Sequence, residues 1–185
     1  MRQKMKINDG AVFYSFYQVP QGVGAVIFDE DGVSDLILPG NDRAKITDFL
    51  QKLPEHNLQE KTLPELMTSL NDYFRGQKTD FDYPLNLKKY TLFESQVLQA
   101  TRSIPYGEVR SYKWVAEKIG RKNAARAVGQ ALKKNCVPVI IPCHRVLKSD
   151  RGLGGFSAGI GWKKRLLELE RGGIFARRKK ILFYP

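Results

Sequence analysis

Cysteine and histidine are scarce in this chain of 185 residues, with two of each: Cys136 and Cys143, His56 and His144. Two thiols seven positions apart form no disulfide framework, and so few Cys and His residues all but exclude a zinc centre built from them. Long apolar runs are missing too. No window approaches the ~18 consecutive apolar residues that a membrane-spanning helix needs, and the opening MRQKMKINDG lacks the apolar core of an export signal. There is no internal repeat, no low-complexity stretch and no cofactor motif. The expectation is a cytoplasmic, intracellular protein with no metal, no cofactor and no membrane partner.

What is present is globular in composition: 42% hydrophobic and 11% aromatic residues. The charge is uneven. Residues 1–90 carry 11 Lys+Arg against 13 Asp+Glu, a net of −2, whereas residues 91–185 carry 20 against 6, a net of +14; together these give the overall +12. A near-neutral half joined to a strongly basic half reads as a scaffold plus a polyanion-binding module. The plainer alternative is a solvated basic surface, and Arg177-Arg178-Lys179-Lys180 lies in a tail that suits it.

The hydrophobic pattern changes along the chain. Gly24–Phe28 and Val33–Leu38 read as strands flanking a hairpin turn at Asp29-Glu30-Asp31-Gly32. Residues 44–53 and Pro64–Phe74 have helical spacing, the second with Leu66, Leu70 and Tyr73/Phe74 on one face and Gly76 as a stop. Nothing in residues 1–80 gathers reactive side chains. The segment from Phe81 to Tyr90, with Pro84, is the candidate boundary, giving an α/β scaffold domain over 1–85 and a mainly α domain over 86–185. In the latter, Phe93–Thr101 is helical, Ser111 caps a helix over Tyr112–Ile119 ended by Gly120, and Asn123 caps another running to Lys133. Two short helices joined by a tight turn suggest a helix-turn-helix. On the second, Ala124, Ala127, Val128 and Ala131 form the expected buried stripe. Arg126, Gln130 and Lys133 share a polar face with the small residues Ala125 and Gly129 beside them. So thin a helix suits close approach to a duplex, including its minor groove, and equally suits a tight helix crossing.

Between 137 and 147 the chain reads VPVIIPCHRVL. The apolar run Val139-Ile140-Ile141 reads as a buried strand, followed at once by Cys143-His144-Arg145. A lone cysteine is often a small core residue, but the histidine, the arginine and the basic surroundings here favour thiolate, which is the nucleophile. Neighbours in extended chain point to opposite faces, so a Cys143–His144 interaction needs a bend or a water. A Gly-rich loop follows (Gly152, Gly154, Gly155, then Phe156-Ser157-Ala158-Gly159), with a helix over Trp162–Glu170 after it. Cys136 lacks comparable neighbours and reads as structural.

Pro142-Cys143-His144-Arg145-Val146, Ala125-Arg126-Ala127-Val128-Gly129 and Ile104-Pro105-Tyr106-Gly107 with Ser111-Tyr112 together resemble the O6-alkylguanine-DNA alkyltransferase family. The resemblance is dense from about residue 70 to 171. It implies an N-terminal domain of ribonuclease-H-like topology and a winged-helix C-terminal domain that binds double-stranded DNA through the minor groove, with no obligatory protein partner and a monomeric state. The implied reaction is transfer of an alkyl group from O6-alkylguanine, and from O4-alkylthymine, to Cys143 in a single turnover. The resemblance further implies His144 as the base acting through a water, Glu170 as its carboxylate partner, and Arg126 as the finger filling the space of the flipped base. Ala125 and Gly129 are its companions on the DNA-binding helix, and Tyr112 contacts the base. Asn135, Arg145, Phe156, Ser157 and Ala158 are expected around the substrate pocket. Phe156 replaces a tyrosine and Ala158 a glycine of the usual loop, which narrows the expected range of bulky substrates. Two other readings use the same residues: a non-catalytic alkyltransferase-like lesion-binding protein, in which the cysteine is normally replaced, and a winged-helix regulator with a core cysteine.

Overall fold

The structure is a computed structural model that describes residues 10–53 and 58–172. His56 and the basic tail from 177 to 180 lie outside the described residues. The chain forms two compact units, one of residues up to 75 plus 80–87 and the other of 76–79 plus 88 onward.

The first unit is built on a meander of β1 (Val12–Val19), β2 (Gly22–Asp29) and β3 (Gly32–Asn41), with β4 (Leu58–Glu60) added parallel to β1. The sheet order is β3-β2-β1-β4. Alternation along β1 buries Phe13, Ser15, Tyr17 and Val19 on one face. There the helix α2 (Pro64–Phe74) packs its buried Leu66, Leu70, Tyr73 and Phe74, and the Tyr17 and Phe74 rings stack at 6.1 Å. Tyr14 and Phe16 point the other way, joining a cluster of Ala25 and Ile27 with Ile46 and Leu50 of α1 (Arg43–Gln51). Helices on both faces explain why β2 is buried from Gly24 through Phe28 without alternation.

The β2–β3 turn falls where its acidic Asp-Gly run places it. Asp29 Oδ1 accepts the N–H groups of Asp31 and Gly32 at 2.9 and 3.2 Å. Gly32 has φ +131°, and a Cβ there would sit 2.4 Å from the carbonyl carbon of Pro84. Pro84 passes this close because residues 84–86 cover the edge of β3: Val33 N–H donates to Pro84 O and Asn86 N–H to Val33 O, at 2.9 and 3.0 Å.

The second unit is helical, with α3 (Leu92–Arg102), α4 (Tyr112–Lys118) and α5 (Ala125–Lys133) packed together. A capping box between Thr91 and Glu94 starts α3. Ser111 caps α4 by accepting the Trp114 N–H at 3.0 Å, and Gly120 closes it at φ +71°. The start of α5 differs from expectation. Ala124, not Asn123, is the N-cap and makes no side-chain cap bond; its own N–H donates to Arg121 O in a tight turn, which sets the helix start one residue later. The buried residues of α5 are Val128, Ala131 and Leu132, while Ala127 is exposed and Ala124 half-buried, so the stripe is rotated toward Leu132.

The expected strand at 139–141 is also corrected. Val139 has φ +76°, a left-handed conformation that a β-branched residue rarely adopts, and this breaks extended pairing. The chain instead folds into a 3₁₀ turn over Cys143–Arg145 and leaves it as β6 (Val146–Leu147), parallel to β5 (Arg110–Ser111). The last helix, α6, runs over Ile160–Glu170.

Because Gly32 combines a positive φ with contact to backbone, Gly32→Ala should cost roughly 2–4 kcal/mol of unfolding free energy in urea titration. An unchanged midpoint would show that 84–86 yields at no cost.

Candidate active site

The 3₁₀ turn supplies the bend that adjacent Cys143 and His144 require. Cys143 is buried, and its sulfur accepts an N–H from the Asn135 side-chain amide at 3.0 Å. That amide also donates to Ile141 O and accepts the Val137 N–H, each at 3.0 Å. Asn135 is therefore fully committed to the loop that carries the thiol.

Behind the turn, Glu170 reaches in from the last position of α6. Its carboxylate accepts from His144 Nε2 at 2.6 Å, Arg145 Nε at 2.9 Å, the Arg145 terminal nitrogen at 2.8 Å and Gly107 N–H at 3.0 Å. Arg145 also donates to Ile104 O at 2.6 Å. Burial alone would raise the Glu170 carboxyl, but His144 and the Arg145 guanidinium outweigh it and hold the group well below the usual range. Burial pushes His144 down against the pull of Glu170, keeping the imidazole neutral. A neutral ring facing an ionised carboxylate carries its proton on Nε2, so Nδ1 is the basic nitrogen.

The expectation that the basic surroundings lower the Cys143 thiol is reversed. Burial pushes it up; the Asn135 bond, the charge of Lys163 and nearby backbone N–H groups act the other way without prevailing. Arg145 contributes little because Glu170 already neutralises it.

Lys163 was not anticipated. It is fully buried on α6, with Nζ donating to Val146 O at 2.6 Å and Gly155 O at 3.4 Å, and 5.8 Å from the centre of the Tyr112 ring. Burial lowers it to about 8, opposed by Cys143. Its signal was present in the sequence: Lys163, Leu166, Leu167 and Glu170 fall at i, i+3, i+4 and i+7, two charges on one apolar stripe.

Cys143 opens on a cleft of about 380 Å³ between α4, α5 and the 148–156 segment. Tyr112, Ala125, Arg126, Gly129 and Phe156 line it with the cysteine, and Lys113, Gln130, Lys133 and Lys148 add polar and basic groups. Tyr112 lies against two glycines: a Cβ at Gly129 would meet its ring at 3.7 Å, and one at Gly154, where φ is +66°, would stand 2.7 Å from its hydroxyl. Other expected pocket residues stand elsewhere. Arg145 lies behind the wall, drawn there by Glu170. Asn135 supports the sulfur without lining the cleft. Ser157 and Ala158 are exposed and outside the lining, because the loop turns outward after Phe156 into the start of α6. The narrowing expected from Ala158 therefore has no counterpart in the cleft wall. Among the described residues, no group of three or more His, Cys, Asp or Glu is placed to hold a metal ion, and no helix is long and apolar enough to cross a membrane.

The arrangement defines a class of protein in which the second helix of a helix-turn-helix walls a cleft that presents a thiol. Comparison with known proteins narrows this. Residues 12–87 match the family model described as 6-O-methylguanine DNA methyltransferase, ribonuclease-like domain, and residues 92–172 match its DNA binding domain. The constitutive methylated-DNA–protein-cysteine methyltransferase of Bacillus subtilis is 36% identical over 160 residues, spanning 86% of this chain and 95% of that one. The Mycobacterium tuberculosis methyltransferase is 48% identical over 102 residues, 55% of this chain and 61% of that one. The crystal structure of Mycobacterium tuberculosis OGT in complex with DNA superimposes with a TM-score of 0.72 at 33% identity, covering 86% of this chain and 93% of that one. The chain belongs to the methylated-DNA–protein-cysteine methyltransferase family.

Glu170→Gln keeps the shape but leaves the Arg145 cation buried against a neutral amide. It should cost about 3–5 kcal/mol. The folded carboxyl lies below its ordinary 4.5, so its contribution is complete above that value and is lost as pH falls below it. The variant should therefore show a shallower decline of stability between about pH 4.5 and 2 in denaturant titrations. An equal acid slope in both proteins would mean that Glu170 is not the titrating group.

Proposed function

We propose that the protein repairs alkylated duplex DNA by moving the alkyl group from guanine O6, and from thymine O4, onto Cys143. The observation that carries this reading is the placement of the Cys143 sulfur in a cleft walled by Arg126 and Tyr112. The basic charge of residues 91–185 supplies sequence-independent attraction to phosphates. Residues Ala125 and Gly129 keep α5 thin enough for the minor groove. Arg126 is exposed at the cleft and enters the stack in place of the flipped base. In the N-terminal unit, a sheet ordered β3-β2-β1-β4 with β4 parallel to β1 supports a ribonuclease-H-like topology. The helix pair with the β5–β6 pairing supports a winged helix.

The chemistry follows from the protonation states. The thiol is neutral at rest, so its proton must leave as the bond forms. His144 Nδ1 takes it through a water, with the imidazolium stabilised by Glu170. The sulfur attacks the alkyl carbon in line, the carbon–oxygen bond breaks, and its electron pair stays on the guanine. Burial, reinforced by Cys143, raises the Tyr112 phenol, so it remains a proton donor beside the leaving oxygen. Over the whole reaction the thiol proton ends on the restored guanine and the alkyl group on sulfur. Lys163 places a positive charge near the developing thiolate. Regenerating the thiol would require attack on the alkyl carbon of an unactivated thioether with thiolate as the leaving group, so each molecule acts once.

Intact-mass measurement after incubation with a duplex bearing one O6-methylguanine should show one methyl per protein, mapped to Cys143. Cys143→Ser should abolish transfer and retain lesion binding, because a hydroxyl is a far weaker nucleophile at neutral pH. A methyl mapped to Cys136 overturns the assignment.

Flipping costs a few kcal/mol of stacking and pairing, which Arg126 is placed to offset. Arg126→Ala should slow repair in duplex DNA about tenfold or more while reacting nearly normally with free O6-methylguanine base. Equal slowing of both substrates, or of neither, would rule out the finger role.

A further inference from the structure

Tyr90 stands just before α3, outside every motif above, yet it grips the segment that carries Asn135. Its hydroxyl donates to Lys134 O at 3.1 Å and accepts the Cys136 N–H at 3.0 Å. These are the peptide groups on either side of Asn135. The grip is reinforced from the same turn: Glu94, held in the capping box with Thr91, pairs with the Lys134 ammonium. The residues leading into α3 and its first turn thus hold both sides of one residue just past α5.

Asn135 has little freedom of its own. Its amide nitrogen is shared between the Cys143 sulfur and Ile141 O, and its oxygen is taken by the Val137 N–H. The direction of that amide depends on the backbone at 134–136, and hydrogen bonds weaken steeply with misalignment. We propose that Tyr90 is a positioning residue for alkyl transfer: by clamping the peptide groups flanking Asn135, it holds the Asn135 amide on the Cys143 sulfur.

The groups facing that sulfur define why the amide matters. Lys163 on α6 brings positive charge, Tyr112 on α4 brings a phenol that opposes a second negative charge, and His144 in the same turn is neutral. With burial favouring the thiol, the Asn135 N–H is one of the few contacts that strengthens as sulfur becomes negative. A displaced amide therefore raises the thiol further and slows its reaction.

This inference rests on Cys143 being the alkyl acceptor, and its test separates the two. Tyr90→Phe removes only the hydroxyl. Transfer from an O6-methylguanine duplex at neutral pH should slow about 3- to 30-fold. The pH profile of Cys143 carbamidomethylation by iodoacetamide, followed by mass spectrometry, should move to higher pH and converge with the unsubstituted protein at alkaline pH. In an Asn135→Ala background, Tyr90→Phe should add nothing, since both remove one interaction. An unmoved profile overturns the proposal, even with a lower melting temperature, because a purely structural clamp would do that. Additive effects in the double variant overturn it as well. Should Asn135→Ala fail to fold, the profile of Tyr90→Phe decides alone. Failure of the acceptor assignment itself would look different, since the unsubstituted protein would carry no methyl on Cys143.

Discussion

The buried carboxylate of Glu170 is the interaction on which the rest of the site depends. Taking such an ion out of water costs several kcal/mol unless its lone pairs are filled. Here Arg145, His144 and the Gly107 N–H fill them together. The three donors come from the 3₁₀ turn and the loop before β5, while the acceptor closes α6. One carboxylate thus locks the register of three segments that share no continuous secondary structure. It also fixes which imidazole nitrogen is basic and spends the Arg145 charge away from the thiol.

That last effect separates two jobs assigned to adjacent residues in PCHRV. Arg145 and Glu170 hold the turn in place; the sulfur is tuned by the turn's own N–H groups and by side chains from elsewhere. Asn135 approaches from the end of α5 and Lys163 from α6, and both favour the charged sulfur against a burial that favours the neutral one. Lys163 is bound to the carbonyls of Val146 and Gly155, one leaving the turn and one in the cleft-lining loop. The cation is thereby anchored to the backbone of the site, and no carboxylate among the described residues is paired with it.

Periodicity made several elements legible. The spacing of Leu66, Leu70 and Tyr73 gave α2 its limits, and the Asp29–Gly32 run gave the hairpin, because each depends on neighbours in the chain. The thiol of PCHRV is legible in the sequence, and resemblance points to Glu170 as the carboxylate that the structure places against His144 and Arg145. What escaped depends on contacts distant in sequence. Val139 adopts a left-handed conformation that its β-branched side chain argues against, so Val139-Ile140-Ile141 reads as a strand in the sequence. Resemblance puts Arg145 at the pocket, whereas Glu170, 25 residues onward, holds it on the other side of the wall. Tyr90 gave no signal at all, since its partners are backbone groups 44 and 46 residues onward. Lys163 differs from these, since a lysine on an apolar helical stripe is visible in the spacing of Lys163, Leu166, Leu167 and Glu170.

A reaction that consumes the protein sets a particular demand on its thiol. A cysteine ionised at rest would be open to attack on any electrophile that reached it, and each such event would remove one molecule from use. Burial works against that by keeping Cys143 protonated. The groups that favour thiolate are nonetheless fixed in place before substrate arrives, so no reorganisation is needed once a base fills the cleft and excludes water. In the proposed mechanism, filling the cleft strengthens the Asn135 bond and the Lys163 field as the proton leaves Cys143, since both act across a drier path. Reactivity is then coupled to occupancy of the pocket, a property that neither a surface thiolate nor an uncompensated buried thiol would have.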